Sequence, residues 1–138
     1  MSAKLKFFFY LGGFFLNIWS FIGYQLTFAA THHPQQFLDK IKLTEHEGLA
    51  IFEHFCANCH AKKPVIQLGA PRIGEYEDWQ PRIKKGIDVI LQHTNEGFQA
   101  MPARGGCFEC TDEQLVLAVL AMLPNKMRKK FLHLLAKE

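Results

Sequence analysis

The sequence has little of what defines sheet proteins or nucleic-acid-binding proteins. No segment of the 138 residues alternates apolar and polar side chains convincingly enough to predict a strand. The formal net charge is +3, but the basic residues form no patch interleaved with aromatic residues, which excludes a nucleic-acid-binding profile. Apolar residues recur instead at helical spacing. The sequence therefore predicts an all-α fold, with length for one small domain and its appendages.

Cysteine is also scarce, and the four cysteines fall into two Cys-x-x-Cys pairs. The first pair lies in Cys56-Ala57-Asn58-Cys59-His60, which matches the attachment motif of haem c. Two thiols at this spacing form thioethers with the vinyl groups of one macrocycle, and the histidine that follows becomes the proximal iron ligand. The motif predicts one covalently bound haem c, attached through Cys56 and Cys59, with His60 on the iron.

The second pair, Cys107 and Cys110, leaves two alternatives open. Four cysteines in two pairs can form a zinc ribbon, but its pairs are normally about 15–20 residues apart. Here 47 residues lie between Cys59 and Cys107. A thiol oxidoreductase would use Cys107 and Cys110 directly, normally in a βαβ context that this sequence lacks. Haem attachment through the first pair is the favoured interpretation.

The first 30 residues are typical of an exported protein. Lys4 and Lys6 precede an apolar run over residues 7–28, and small residues follow it at a suitable cleavage site. The run is about 22 residues long, close to a full membrane span. Residues 1–30 are therefore predicted as a signal peptide or an N-terminal membrane anchor, with cleavage favoured. The expected localisation is the periplasm, where disulfides persist, with an inner-membrane tether if residues 7–28 are retained.

The remaining chain divides into a linker, a domain and a tail. Residues 31–43 are predicted as the linker and residues 44–124 as the domain. Thr44 with Glu47 is predicted to form a capping box that begins a helix running into the Cys-x-x-Cys-His motif. Three further helices are predicted, over residues 75–85, over residues 87–95 with Gly97 as the stop, and over residues 111–123 from a capping box of Thr111 with Gln114.

The loop after the haem motif contains a candidate partner for the proximal histidine. This loop, residues 61–74, is rich in proline and glycine and can wrap the edge of a haem. The carbonyl of Pro71 is predicted to accept a hydrogen bond from the His60 ring. Such a bond would set the tautomer and the orientation of the imidazole.

Five segments carry a family pattern: Cys56 to His60, Gly69-Ala70-Pro71, Trp79-Gln80-Pro81-Arg82, the block from Gly97 to Gly106, and Cys107 to Glu113. Together these segments resemble class I c-type cytochromes, most closely the bacterial cytochrome c5 family. The resemblance covers the chain from about Gly48 to Leu123 and implies a small class I fold, with helices packed around one haem. It also implies that Met101 is the sixth iron ligand and that Cys107 and Cys110 form a disulfide.

The residues themselves also favour Met101 as the ligand. Met1 is the initiator, Met122 lies in an apolar helix and Met127 lies in the tail, whereas Met101 lies in a loop rich in glycine and proline. A His-Met pair closes both axial positions and raises the reduction potential, which suits electron transfer. We therefore expect a monohaem electron carrier of a bacterial periplasmic respiratory chain, not an enzyme. Its expected partners are redox proteins such as a membrane reductase or a terminal oxidase.

The main alternative is a haem enzyme or sensor with an open or exchangeable sixth position. A peroxidase-like site would need an acid–base side chain near that position. His93 is the one apparent candidate, and a packing or surface role is the simpler interpretation.

The tail differs in charge from the domain. Residues 31–124 carry nine Lys or Arg and twelve Asp or Glu, whereas residues 125–138 carry five Lys or Arg and one Glu. The tail is predicted as a basic amphipathic helix. Its apolar face either packs on the domain or helps the helix to contact anionic lipid or an acidic partner, so membrane-surface association through this helix or the N-terminal segment stays open. The predicted apolar face comprises Met127, Phe131, Leu134 and Leu135.

Overall fold

The computed structural model describes residues 33–135. The predicted signal peptide or anchor, residues 1–30, lies outside the described residues. The described part contains no strand, only an isolated bridge between Phe98 and Met101, and the all-α prediction is confirmed. Its α-helices are α1 (Pro34–Ile41), α2 (Glu47–Ile51), α3 (Ala57–His60), α4 (Tyr76–Ile83), α5 (Ile87–Glu96), α6 (Asp112–Met122) and α7 (Asn125–Leu135).

Two short irregular turns complete the described part. A π-helical turn at Phe52–Cys56 joins α2 to α3, and a 3-10 turn at Ala103–Gly106 precedes α6. No helix between residues 33 and 135 is both long and apolar enough to cross a membrane.

The crossing of α2 and α6 is the most extensive contact between helices in the described part. It depends on Gly48, because a Cβ atom there would lie 2.7 Å from the carbonyl carbon of Leu117 and closer still to its oxygen. A glycine therefore lets the two helix backbones touch directly. The crossing holds the helical segment that leads into the Cys-x-x-Cys-His motif.

The core consists of two clusters of buried side chains that share α6. The Trp79 cluster also receives Cys56 and Ala57 of the haem motif at its edge. The disulfide cluster is flanked by Phe37, Ile41 and Phe55. The Trp79 cluster comprises Phe52, Trp79, Ile90, Val119, Leu120, Met122, Leu123, Met127 and Phe131; the disulfide cluster comprises Leu38, Ile51, Cys107, Cys110, Leu115 and Ala118.

Residues 31–43, for which the sequence predicted a linker, contain the helix α1. Pro34 occupies the start of α1, where its missing N–H is not needed. Leu38 is 2% exposed within the disulfide cluster, and Phe37 packs against the same cluster. The spacing of these apolar side chains makes α1 amphipathic, so its burial on the domain stabilises it as a helix.

The predicted capping box of Thr44 with Glu47 is wrong. The Thr44 hydroxyl donates to the carbonyl of Ile41 at 2.7 Å, and no side chain caps α2. The Glu47 carboxylate instead accepts from the Leu43 amide at 2.8 Å and from the Gln114 side chain at 2.9 Å. Glu47 is only 6% exposed, so it serves a contact between α2 and α6 rather than a local cap.

The second capping box is confirmed. The Thr111 hydroxyl accepts from the Gln114 amide at 3.2 Å, and the Gln114 side-chain oxygen accepts from the Thr111 amide at 2.9 Å. The amide nitrogen of the same Gln114 side chain donates to Glu47. One glutamine therefore begins α6 and ties it to α2.

The tail is helical as far as the structure describes it, and its inner face belongs to the core. Met127 and Phe131 are 8% and 1% exposed within the Trp79 cluster. The Arg128 guanidinium donates to the carbonyls of Ala121 and Leu123, at 3.0 and 3.2 Å, at the end of α6. Of the two alternatives for the apolar face of the tail, the structure shows packing on the domain for Met127 and Phe131. The side chains of Leu134 and Leu135 lie outside the described part.

Candidate haem site

The π-helical turn and α3 place Cys56, Cys59 and His60 on one continuous helical segment. The two cysteines are three residues apart, so their side chains share one side of it. Both thiols are free. Burial, together with a smaller contribution from the neighbouring Cys59, raises the pKa of Cys56 to about 11. Both cysteines are therefore available for attachment to one group.

This environment is unlike that of a redox-active thiol pair. Catalytic cysteines are activated by a lowered pKa, whereas burial raises the pKa of Cys56. Cys107 and Cys110 are joined to each other, with their sulfur atoms 1.98 Å apart, and do not offer thiolates to a metal. Within residues 33–135, no group of three or more His, Cys, Asp and Glu side chains is arranged to hold a metal ion. The disulfide thus removes half of the ligand set that a four-thiolate zinc ribbon needs.

His60 is buried and makes the hydrogen bond that the sequence predicts. Its Nδ1 lies 2.8 Å from the carbonyl oxygen of Pro71, and the residue is 7% exposed. Because a carbonyl only accepts, Nδ1 is the protonated nitrogen, and Nε2 keeps a lone pair for a metal. Burial lowers the pKa of His60, the bond to Pro71 opposes that effect, and Arg82 adds a smaller lowering. The ring is thereby held as a neutral, oriented imidazole.

A network of hydrogen bonds holds the loop that carries Pro71. The Ile73 amide donates to the His60 carbonyl at 2.7 Å, and the Trp79 indole donates to the Arg72 carbonyl at 2.9 Å. Asp78 accepts from the Arg72 amide at 3.0 Å and from its Nε at 2.7 Å. These bonds with Arg72 lower the pKa of Asp78. The position of the His60 ring therefore depends on α4 as well as on its own segment.

The loop that carries Met101 is a tight turn at the end of α5. Phe98 and Met101 exchange backbone hydrogen bonds of 3.0 and 2.9 Å. Gly97 ends α5 with φ 86°, and a Cβ atom there would lie 2.7 Å from the Met101 carbonyl oxygen and 2.8 Å from the Ala103 amide nitrogen. Glycine is therefore required both for its left-handed backbone and for the close approach. The Met101 side chain is half-buried.

Arg104 links this loop to the rest of the domain. Its backbone is left-handed, with φ 56°. Its guanidinium donates to the side chains of Asp112 and Asn95, at 2.9 and 3.2 Å, and to the carbonyl of Cys110 at 2.5 Å. The family resemblance includes Arg104 in the block from Gly97 to Gly106 and implies no role for it. No local pattern identifies an arginine whose partners come from three different segments.

The remaining candidate residue, His93, has a packing contact. Its ring stacks on Phe98 with the centroids 4.0 Å apart and the planes 14° apart. This stack supports the same turn that carries Met101. The contact gives His93 a structural role, as the sequence suggested.

The donor set fits haem c. Two free thiols and a buried imidazole with one nitrogen occupied lie on one helical segment, which is the arrangement that two thioethers and a proximal ligand require. The 3-10 turn that follows Met101 contacts the π-helical turn that ends at Cys56. The loop that carries Met101 is thus adjacent to the segment that carries Cys56, while the disulfide of Cys107 and Cys110 braces the far end of that loop.

A helical domain built around this segment defines a class I c-type cytochrome. The sequence model of the family described as cytochrome c oxidase, cbb3-type, subunit III matches residues 44–120. The chain belongs to the cytochrome c family, whose cofactor is a covalently bound haem c and whose members here are electron carriers rather than enzymes. The predictions of family and cofactor are confirmed.

Relatives cover the same part of the chain. The chain is 34% identical over 80 residues to cytochrome c-555 of Chlorobaculum tepidum, and this match covers 55% of the chain and 71% of that protein. It is 34% identical over 74 residues to cytochrome c5 of Azotobacter vinelandii, spanning 52% of this chain and 86% of that protein. Cytochrome c5 of Ectopseudomonas mendocina is 36% identical to the chain over 74 residues, and this match covers 52% of the chain and 82% of that protein.

Proposed function

We propose that this monohaem cytochrome carries single electrons between redox proteins outside the cytoplasm, with iron ligated by His60 and Met101. Cys56 and Cys59 are the proposed thioether residues. The haem supplies a metal that changes its charge by one unit without gaining or losing a bond. The observation that carries the proposal is the bond from His60 Nδ1 to Pro71, which leaves the other ring nitrogen available.

The residues of the chain keep the coordination closed and the geometry constant. Pro71 fixes the tautomer of His60, and Trp79 and Asp78 fix the loop of Pro71 through Arg72. On the other side, the hydrogen-bonded turn of Phe98 and Met101 would present a thioether, a soft ligand that favours reduced iron. A site that moves little on reduction suits electron transfer and leaves no position for a substrate.

The cellular setting rests on the sequence. The N-terminal segment, residues 1–30, resembles an export signal, and attachment of haem to Cys-x-x-Cys-His occurs on the outer side of the bacterial inner membrane. The disulfide of Cys107 and Cys110 suits the same compartment. We therefore place residues 44–124 in the periplasm as the electron-carrying domain of a respiratory chain. If residues 7–28 are retained, the domain is tethered to the inner membrane.

Carbon monoxide binding tests the proposal. The reduced wild-type protein should bind carbon monoxide poorly, because Met101 occupies the sixth position, whereas Met101→Ala should bind it readily and lose the low-spin oxidised spectrum. Met122→Leu is the matched control, since Met122 is buried in α6 and should leave both properties unchanged. The measurement is visible absorption with and without the gas.

Two outcomes would contradict the proposal. Ready binding of carbon monoxide by the wild-type protein would favour the enzyme or sensor alternative. An unchanged spectrum in Met101→Ala would show that another side chain is the ligand.

A further inference from the structure

The helix α7 presents a cationic face to solvent. Lys126, Lys129, Lys130 and His133 are all exposed and follow one another at spacings of three, one and three residues. These spacings place them together on one side of a helix. We call these four residues the cationic face. Met127 and Phe131 are buried on the opposite side, so the orientation of the helix is set by the core.

The positive charge of this face is not offset within its own helix. No residue of Asn125–Leu135 is acidic. Arg128 is occupied by the carbonyls at the end of α6, so the three lysines are the groups that face outward. The preceding part of the chain, residues 31–124, carries twelve acidic and nine basic residues. Two haem propionates would increase this contrast.

The cationic face lies outside the part of the chain that the family shares. The family match ends at residue 120, before α7 begins at Asn125. Electron transfer by the family therefore does not account for this helix. Its two buried residues explain why α7 is docked, but they do not explain the row of lysines on its other side.

We propose that the cationic face binds the surface of an anionic lipid bilayer and thereby sets the side from which the domain meets the membrane. From Lys126 to His133 the row extends about 10 Å along the helix, a flat surface suited to several headgroups. Leu132, 49% exposed, lies one turn from Lys129 and adds an apolar side chain suited to the headgroup boundary. The apolar run of residues 7–28 indicates contact with a membrane before or after export. These features favour lipid over an acidic protein.

Vesicle co-sedimentation of the haem-loaded protein, isolated after export and processing, tests this proposal. We expect tighter binding to vesicles containing phosphatidylglycerol than to vesicles of phosphatidylcholine alone, and we expect 0.5 M salt to remove the difference. The triple variant Lys126→Gln, Lys129→Gln, Lys130→Gln should bind the anionic vesicles on the order of 100-fold more weakly, at roughly fivefold per lysine. Replacing the same three lysines with arginine should restore binding.

The matched control removes the same charge elsewhere on the domain. Lys63, Lys84 and Lys85 are exposed, and their replacement with glutamine should weaken binding far less. Equal losses in the two triple variants would overturn the proposal, because net charge alone would then explain binding. Equal wild-type affinity for both vesicle types would also overturn it. So would a triple variant that keeps its vesicle binding but loses electron exchange with an acidic redox protein.

Failure of this proposal can be told apart from failure of the proposed ligation. The haem spectrum and the carbon monoxide test report on His60 and Met101, whereas vesicle binding reports on α7. The triple variant should keep the wild-type spectrum, since the side chains of its three lysines are exposed and make no hydrogen bond within the described part of the chain.

Discussion

The two Cys-x-x-Cys segments have the same spacing and opposite fates. Cys56 and Cys59 lie on a continuous helical segment and are not joined to each other, whereas Cys107 and Cys110 lie in a loop, with their Cα atoms 5.4 Å apart, and form a disulfide. The first pair precedes a buried imidazole, and the second precedes the capping residue of α6. The spacing of two cysteines therefore determines only how close their thiols can come. The local backbone and the neighbouring residue determine whether they bind a cofactor or each other.

The largest expected effect comes from the first pair. Cys56→Ser and Cys59→Ser should each lose one thioether and most of the haem-loaded protein, because a covalently held haem would add apolar surface to a small domain, beside the Trp79 cluster that Cys56 borders. The control is the double variant Cys107→Ser, Cys110→Ser, which should retain covalent haem. The measurement is extraction with acidified organic solvent followed by mass spectrometry of the protein. Haem extractable from the wild-type protein would refute covalent attachment.

An intermediate effect is expected from the arginines that hold the two sides of the site. Arg104 joins the Met101 loop to Asp112 and Cys110, whereas Arg72 holds the Pro71 loop through Asp78. Arg104→Lys should speed cyanide binding to the oxidised protein by about tenfold, because charged hydrogen bonds of about 1.5–3 kcal/mol are lost or weakened.

Arg72→Lys is the matched control for that measurement. It changes an arginine–aspartate pair on the His60 side and should leave cyanide binding near the wild-type rate. Unfolding in denaturant, measured on both variants, separates loop opening from general loss of stability. Equal cyanide rates in the two variants would show that Arg104 does not position the Met101 loop.

The smallest expected effect comes from the second cysteine pair. The closed loop is about four residues long, so the loop-entropy account limits the contribution of the disulfide to about 2 kcal/mol of unfolding free energy. Cys107→Ser, Cys110→Ser should lower the denaturation midpoint by a corresponding amount and keep the haem spectrum. Alkylation without reductant should leave Cys107 and Cys110 unlabelled in the exported protein. Two labelled thiols there would contradict the bridge.

The parts of the molecule that were predictable depend on local chemistry. The Thr111–Gln114 box needs only residues three apart, and the bond from His60 to Pro71 needs only a proline-rich loop after the motif. The unpredictable parts join distant segments. Glu47 does not form the predicted capping box with Thr44, because the side chain of Gln114, 67 residues later, is a buried hydrogen-bond partner for its carboxylate.

The same reason explains the other two differences. The sequence predicts a linker at the segment of α1, because the burial of its apolar residues depends on the disulfide cluster, which is formed by residues much later in the chain. The sequence does not predict a role for Arg104, because its partners Asn95, Cys110 and Asp112 come close to it only after folding. Tertiary contacts, not local propensities, determine the structure of α1 and the hydrogen bonds of Arg104.

The glycine contact between α2 and α6 has a consequence for the order in which the chain folds. Gly48 and Leu117 are far apart in sequence, so their contact closes a loop that contains both cysteine pairs, His60 and Met101. Closing so long a loop costs entropy that is recovered only when the packing inside it forms. The crossing of α2 and α6 is therefore expected late, once α6 has also been exported. Until then the thiols of Cys56 and Cys59 belong to an open chain and are accessible for haem attachment.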